Sequence, residues 1–375
     1  MSHIVVIGGG FAGVWSAAAA ANVRATAASS ATADLRITLI APNEDLVLRP
    51  YLHQADPDRA RVPLKRFLGP IDVDHLRGVV TGIDAEHRRL TLDDGRAVGY
   101  DRLILATGSH LVRPDFPGAE RMFDVDTLEA ARRLDVYLRT RSPFRAVVVG
   151  AGFTGLEVAT ELAERGEVVL IDRDKVVGPE LGPGPRPQIE AALDEVGVER
   201  RLGVTVTEVG DGYVRLSDGT RLDTDAVVWT AGMQASPLTA QVGGVRDRLG
   251  RLEVDAALRV SGEIFAAGDT AAARVESGQV AVQSCQYATP LGKTAGHNAA
   301  ADLLGLPLKD FAPSPYVTCL DLGAAGAIYT QGWNREVQAA GAEGKAIKKM
   351  ILDVIRPPMD DPEAIFAAAT QVRTR

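Results

Sequence analysis

Two stretches of the chain share one pattern, Ile4-Val-Val-Ile-Gly8-Gly-Gly10-Phe-Ala-Gly13 and Ala146-Val-Val-Val-Gly150-Ala-Gly152-Phe-Thr-Gly155. Each begins with an apolar run whose length predicts a strand buried on both faces. In the G-x-G-x-x-G that follows, the first glycine makes a tight turn, the second lets the backbone approach a pyrophosphate, and the third lets a helix pack closely. The phosphate then lies against free N–H groups at the positive end of that helix. Two copies predict a chain that binds two dinucleotides.

The second strand of each unit would carry an acid that bonds a ribose hydroxyl. In the first unit this strand is predicted over residues 35–40, and Ala41 stands where the acid is expected, so Asn43 or Glu44 would have to substitute. In the second unit the strand ends at Asp172, 22 residues after Gly150. This acid favours NADH over NADPH, although the neighbouring Arg173 could accept a 2′-phosphate.

An internal repeat extends beyond the glycine pattern. In both halves a turn glycine lies 13 residues, and an aspartate 7 residues, before a closing glycine. These residues are Gly95, Asp101 and Gly108 in the first half and Gly219, Asp225 and Gly232 in the second. The repeat predicts two related α/β, Rossmann-like domains.

Composition and charge exclude several classes of protein. The net charge of -8 over 375 residues argues against nonspecific nucleic-acid binding. We find neither a secretory signal nor an apolar run of about 18 residues that could span a membrane. Cys285 and Cys319 are too isolated for a disulfide framework or a zinc site, so we expect no metal and a reducing cytoplasm.

Together these elements resemble the flavoproteins of the pyridine-nucleotide disulfide reductase family, from residue 4 to about residue 300. The resemblance implies that the first motif holds FAD, that Asp269 reaches its ribityl chain, and that the second motif holds NAD(P)H. The implied cofactor-binding residues are Gly8, Gly10, Phe11, Ala12, Gly13, Arg49, Pro50, Ala106, Thr107, Gly108, Gly150, Gly152, Thr154, Gly155, Asp172, Gly232, Gly268 and Asp269.

Within this family the chain lacks the C-x(4)-C or C-x-x-C pair that passes electrons to disulfides. It is more similar to the type II NADH:quinone oxidoreductases, although it is short for that subfamily. Three segments carry this resemblance: 49–53, which would pass near the flavin; 150–157, whose Glu157 would lie near the nicotinamide; and 279–283, which would line the acceptor site.

Four residues are catalytic candidates: Glu157, Gln283, Cys285 and His53. We predict a mostly helical segment over residues 278–304, on which Gln279 and Gln283 would share one face. His53 could donate a proton to a reduced acceptor, because a histidine titrates near neutral pH. Each candidate also has a structural alternative, namely a first-turn acid, a surface glutamine, a buried thiol and an exposed or core histidine.

We therefore expect residues 1–115 and 246–310 to form the FAD-binding domain, 116–245 the NAD(P)H-binding domain, and 311–375 a small C-terminal region. The expected activity is hydride transfer from NAD(P)H through FAD to a quinone-like or small aromatic acceptor. The alternatives are an oxidoreductase acting on a specialised metabolite, with Cys285 and His53 near the substrate, and a flavin-binding redox sensor.

The C-terminal region is predicted to contain an amphipathic helix over residues 345–355. Its apolar face would carry Ile347, Met350, Ile351, Val354 and Ile355, with Lys345, Lys348 and Lys349 elsewhere. We expect this face to pack on the chain's own core or on a second subunit in a homodimer. Weak contact with a membrane surface is the alternative.

Overall fold

The computed structural model describes residues 2–27, 34–141 and 143–371. Among these residues the α-helices are α1 (Phe11–Thr26), α2 (Leu64–Leu68), α3 (Leu128–Arg139), α4 (Phe153–Ala163), α5 (Arg186–Glu195), α6 (Cys285–Leu303), α7 (Gly341–Ile355) and α8 (Pro362–Thr370). None of them is long and apolar enough to cross a membrane.

The strands of the described ranges follow in chain order. They are β1 (Ser2–Ile7), β2 (Leu35–Ala41), β3 (Asp45–Val47), β4 (Arg61–Pro63), β5 (Asp74–Arg77), β6 (Val80–Asp84), β7 (Arg89–Leu92), β8 (Ala97–Gly99), β9 (Arg102–Leu105), β10 (Ser109–Leu111), β11 (Arg145–Val149), β12 (Glu167–Asp172), β13 (Glu199–Leu202), β14 (Val206–Gly210), β15 (Tyr213–Leu216), β16 (Arg221–Asp223), β17 (Ala226–Trp229), β18 (Met233–Ala235), β19 (Leu252–Glu253), β20 (Arg259–Ser261), β21 (Ile264–Ala266), β22 (Ala271–Ala272), β23 (Val317–Asp321), β24 (Ala327–Gln331) and β25 (Glu336–Ala339).

Two largely parallel sheets form the framework. The first has the order β20-β21-β9-β1-β2-β5 and the second the order β13-β12-β11-β17. In β1, Ile4 and Val6 pack with α1 and α6, whereas Val5 and Ile7 pack with the small sheet β6-β7-β8. The alternate residues of β11 divide in the same way between α4 and the small sheet β14-β15-β16. Both apolar runs are thus buried on both faces, and the predicted class of two Rossmann-like α/β units is confirmed.

The internal repeat is also present in three dimensions. Asp101 accepts a hydrogen bond from the backbone N–H of His3 at 2.7 Å, and Asp225 accepts one from that of Arg145 at 2.8 Å. Each aspartate therefore ties its small sheet to the start of the strand that leads into a glycine turn. The closing glycines are followed by β10 and β18, which pair antiparallel and join the two units.

The C-terminal region packs against the second unit and against α1. Strands β23, β24 and β25 form an antiparallel sheet that contacts α4, and α7 packs on β23 and β24. Helix α8 lies on α1. This arrangement brings α7 next to α4, whose fifth residue is Glu157.

Two details of the sequence prediction were wrong. Helix α6 begins only at Cys285, because the Ser284 hydroxyl caps it by accepting from the N–H of Tyr287, and the preceding segment is extended, so Gln279 and Gln283 share no helix face. In α7, Lys348 is buried at 5% exposure, whereas Met350 and Val354 of the predicted apolar face are exposed. Burial of Lys348 is possible because its ammonium group meets the buried carboxylate of Glu157.

Candidate functional site

The first glycine turn leaves an open position at the start of α1. Gly8 has a φ of +116°, and a Cβ on it would overlap the carbonyl oxygen of Ala106. A Cβ on Gly13 would overlap the carbonyl oxygen of Gly8, so this glycine sets the approach of α1 to β1. No described atom lies within 4 Å of a Cβ built on Gly10. An anion can therefore reach the free N–H groups of the helix end here.

Asp269 lies at the end of the strand that neighbours this turn. Its carboxylate accepts a hydrogen bond from the Ser109 hydroxyl at 2.6 Å, and a guanidinium nitrogen of Arg49 is 3.8 Å away. Burial raises the pKa of Asp269, and the contacts with Ser109 and Arg49 oppose that shift. The buried hydroxyl of Thr107 has no hydrogen-bond partner within the described residues. The open turn and the buried acid fit the pyrophosphate and the polyhydroxyl chain of FAD.

The second glycine turn repeats the first but holds two carboxylates. Gly150 has a φ of +109°, and Asp172 accepts a hydrogen bond from the N–H of Ala151 at 2.5 Å. At the start of α4, Glu180 accepts a hydrogen bond from the N–H of Phe153 at 2.6 Å. Asp172 is thus held beside the turn, where a ribose hydroxyl would lie, and the site fits a nicotinamide dinucleotide.

A cluster of charged and titratable side chains surrounds Glu157 of α4. Lys348 donates a hydrogen bond to Oε1 of Glu157 at 2.6 Å, and Oε2 of Glu157 lies 3.5 Å from Nδ1 of His53. Nε2 of His53 is 4.0 Å from Asp321, which forms an ion pair with Lys345. Glu157 also accepts a hydrogen bond from the N–H of Asp321 at 3.0 Å, so the cluster is anchored to the backbone.

Burial and pairing act in opposite directions on the bases of this cluster. Burial lowers the pKa of His53, and the nearby Glu157 carboxylate only partly offsets it. Burial also acts to lower the pKa of Lys348, but the Glu157 carboxylate outweighs it, and the pKa is raised. Within the described chain, Nε2 of His53 has no hydrogen-bond partner. The cluster therefore combines a charged lysine, a carboxylate and a neutral imidazole.

His53 should make the protein less stable in acid. Because its pKa in the folded protein lies below the ordinary value of 6.5, the unfolded chain takes up a proton first as the pH falls. The stability that neutral His53 contributes at neutral pH is then lost as the pH falls from about 6.5 to the lowered pKa of the folded protein. When the pH is lowered from 7.5 to 5.5, we expect the midpoint temperature of thermal unfolding to fall more for wild type than for His53→Gln. An equal fall in both proteins would contradict the burial of a neutral His53.

The remaining candidates face the same space. Gln283 donates a hydrogen bond to the carbonyl oxygen of Asp269 at 3.3 Å, and Cys285 lies at the start of α6. Burial raises the pKa of the Cys285 thiol, which disfavours the thiolate. Both cysteines of the chain line the cavity, and both are free.

One cavity, with a volume of about 2100 Å³, connects the two glycine turns with most of these side chains. Its lining includes the predicted residues Gly10, Phe11, Ala12, Arg49, Pro50, His53, Ala106, Gly108, Gly150, Gly152, Thr154, Glu157, Asp172, Gly232, Gly268, Asp269, Gln283 and Cys285. The lining does not include Gly8, Gly13, Thr107 and Gly155. The three glycines instead allow close backbone contacts within the two turns.

Several residues of the site have no signal in the motifs. Asp321, Lys345 and Lys348 come from the C-terminal region, and Lys348 is 191 residues from its partner Glu157. The spacing of Gly344, Lys348 and Leu352, which form the buried face of α7, could have indicated the lysine's position. The stronger apolar pattern of the neighbouring face obscured it.

Each glycine turn, with the strand before it and the helix after it, forms a cradle for one dinucleotide. Two such cradles that open into one cavity define an oxidoreductase that uses FAD and a nicotinamide dinucleotide. The chain matches the pyridine nucleotide-disulphide oxidoreductase family over residues 2–285 and belongs to it. It is 46% identical to a NADH dehydrogenase-like protein of Mycobacterium tuberculosis, over the whole of both chains. It is 30% identical to the type II NADH:quinone oxidoreductase Ndh of the same species, over 80% of this chain and 74% of that protein.

The fold agrees with this assignment. The ferredoxin reductase for the CYP199A2 system from Rhodopseudomonas palustris matches 88% of this chain and 82% of its own, with a TM-score of 0.74 and 25% identity. The family resemblance and the two cofactor classes predicted from the sequence are therefore confirmed.

Proposed function

We propose that this chain passes a hydride from NAD(P)H, with NADH favoured, through FAD to a quinone-like or small aromatic acceptor. The observation that carries the proposal is the single cavity that joins both glycine turns and passes Glu157, His53 and Cys285. Similarity to NADH dehydrogenase-like and NADH:quinone oxidoreductase proteins supports the quinone-like acceptor. The placement of Asp172 at the second turn supports NADH, because a carboxylate there would repel a 2′-phosphate.

Bound FAD would supply the two-electron chemistry, and the side chains would bind, orient and move protons. A quinone that gains two electrons also takes up protons. His53 is well placed to give one, because the residue lines the cavity and its Nε2 is unpartnered among the described residues. Its lowered pKa makes the protonated imidazole a stronger acid, and the Glu157 carboxylate, 3.5 Å from Nδ1, would stabilise that protonated form when it arises.

Gln283 and Cys285 are proposed to shape access to the acceptor. Gln283 is tied to the backbone beside Asp269, so its amide is fixed at the cavity wall. Cys285 contributes as a neutral thiol, since its burial disfavours the thiolate. Direct transfer from the flavin to the acceptor is consistent with the lack of a C-x(4)-C or C-x-x-C pair.

Anaerobic absorbance spectra test the proposal. We expect the purified protein to be yellow, NADH to bleach the FAD band, and a soluble quinone to restore it quickly. Failure of NADH to bleach the band would overturn the reductase assignment. Bleaching without rapid reoxidation by quinones would favour a specialised metabolite or a sensor role. A colourless protein that cannot be loaded with FAD would contradict the whole scheme.

A further inference from the structure

We propose that Glu180 is a built-in competitor for the pyrophosphate of NAD(P)H. Its carboxylate occupies the anion position at the start of α4 and has to leave when the nucleotide binds. The inference rests on the proposed nucleotide role of the second glycine turn, and it assigns to that site a residue that sets its affinity.

The contact lies where a phosphate would bind. Oε1 of Glu180 accepts the N–H of Phe153, the first residue of α4, at 2.6 Å. A Cβ built on Gly152 would be 2.5 Å from the same oxygen and 3.2 Å from the carboxyl carbon. The carboxylate therefore lies directly over the glycine whose missing side chain leaves room for a pyrophosphate. The first N–H groups of a helix are also those that bind phosphate, so the two anions compete for one set of donors.

The first glycine turn is an internal comparison. Gly10 and Gly152 occupy the same position of the pattern, and each precedes the first residue of its helix. The space over Gly10 is open to 4 Å among the described atoms, whereas the space over Gly152 is filled by Glu180. The G-x-G-x-x-G pattern by itself thus does not bring a carboxylate to the turn.

The backbone around Glu180 is held in place, so the side chain alone has to move. Residues 179–181 form one 3₁₀ turn between Gly178 and Gly182, which have φ values of +56° and +76°. Leu181 is buried in the core of the second unit. On the other side, Arg335 from the C-terminal region donates a hydrogen bond to the carbonyl oxygen of Glu180 at 3.5 Å. Because the Glu180 side chain is exposed, rotation moves its carboxylate into water.

The consequence is a difference between the two cradles. Nucleotide binding at α4 breaks a charge-assisted hydrogen bond and brings a pyrophosphate close to a displaced carboxylate, and both effects weaken binding. The same carboxylate can return to the helix end and favour departure of the oxidised nucleotide. The open cradle at α1 has no such competitor. Glu180 thus helps the second site to exchange its ligand while the first retains its cofactor.

The test measures nucleotide affinity in Glu180→Gln and Glu180→Ala of the FAD-loaded protein. Glu190→Gln is the matched control, because it removes the same charge from an exposed position on α5. Dissociation constants for ADP-ribose come from perturbation of the flavin spectrum, and those for NADH from the concentration dependence of anaerobic FAD reduction. Since a charge-assisted hydrogen bond is lost, we expect Glu180→Ala to bind both ligands about tenfold more tightly. Glu180→Gln should be intermediate and Glu190→Gln unchanged.

Unchanged or weaker binding in both Glu180 variants, with FAD still bound, would overturn the proposal. Equal tightening in Glu190→Gln would do the same, because it would show a general charge effect. The outcome is separable from that of the proposed function. If NADH does not reduce the FAD of the wild type, the reductase assignment fails. If NADH reduces the wild-type FAD normally and the Glu180 variants bind nucleotide no more tightly than wild type, the competitor role alone fails.

Discussion

Gly152→Val is expected to abolish reduction of the bound FAD by NADH while leaving FAD in place. A valine here would project over the N–H groups at the start of α4, into the space that the Glu180 carboxylate now fills at 2.5 Å from the Cβ position. Because a misplaced reactant costs about 100-fold for a displacement of 1 Å, we expect the rate of reduction to fall by at least that factor. Stopped-flow absorbance with NADH measures the rate, and reduction by dithionite shows that the flavin is intact.

Gly10→Val is the matched variant of the first turn. The space over Gly10 is empty to 4 Å among the described atoms, so the added side chain meets no protein group and should clash with FAD itself. We expect this variant to be purified without FAD. Loss of FAD from Gly152→Val, or its retention in Gly10→Val, would contradict the assignment of the two cradles.

Lys348→Met is expected to destabilise the protein by about 3 to 5 kcal/mol, because it leaves Glu157 buried without its ion-pair partner. Lys348 and Glu157 are 5% and 6% exposed, so water cannot replace the lost contact. Glu157→Gln should also destabilise, since it leaves the lysine charge buried against the carbonyl oxygen of Cys319. Urea unfolding of the FAD-loaded proteins, followed by flavin fluorescence, measures these losses.

Lys349→Met is the control for this pair, because Lys349 is the exposed neighbour on the same helix. It should have little effect, since exposed charges contribute about 0 to 1 kcal/mol. The double variant Glu157→Gln/Lys348→Met removes both charges and should recover part of the loss. If Lys348→Met were as stable as Lys349→Met, the buried ion pair would not exist in solution.

Much of the framework could be predicted from the sequence, because the signals are local. A glycine turn, its strand and the start of its helix are neighbours in the chain, so ten consecutive residues specify their geometry. The repeat of Asp101 and Asp225 could also be predicted, since each aspartate accepts a hydrogen bond from the first strand of its own unit. The start of α6 was predicted too early. Ser284 caps this helix because its own backbone is extended, and the sequence pattern did not indicate that conformation.

Two groups of the site, the carboxylate over Gly152 and the lysine of the buried cluster, could not be predicted from local signals. Glu180 lies 27 residues from Phe153, whose N–H it accepts, and no motif contains it. Lys348 lies off the predicted apolar face of α7, and a lysine in such a position is usually exposed. Its burial depends on Glu157 being present across the interface between α7 and α4.

The sequence alone determined that this chain folds around two dinucleotide cradles, because the strand, turn and helix of each cradle are specified by residues next to one another. Only the tertiary structure decided that the helix ends of the two cradles differ, with an open position at Gly10 and a carboxylate over Gly152. It also decided that Glu157, His53 and Lys348 meet in one buried cluster. The physical reason is that buried charges are tolerated only when folding brings their partners together, and these partners come from three distant segments of the chain.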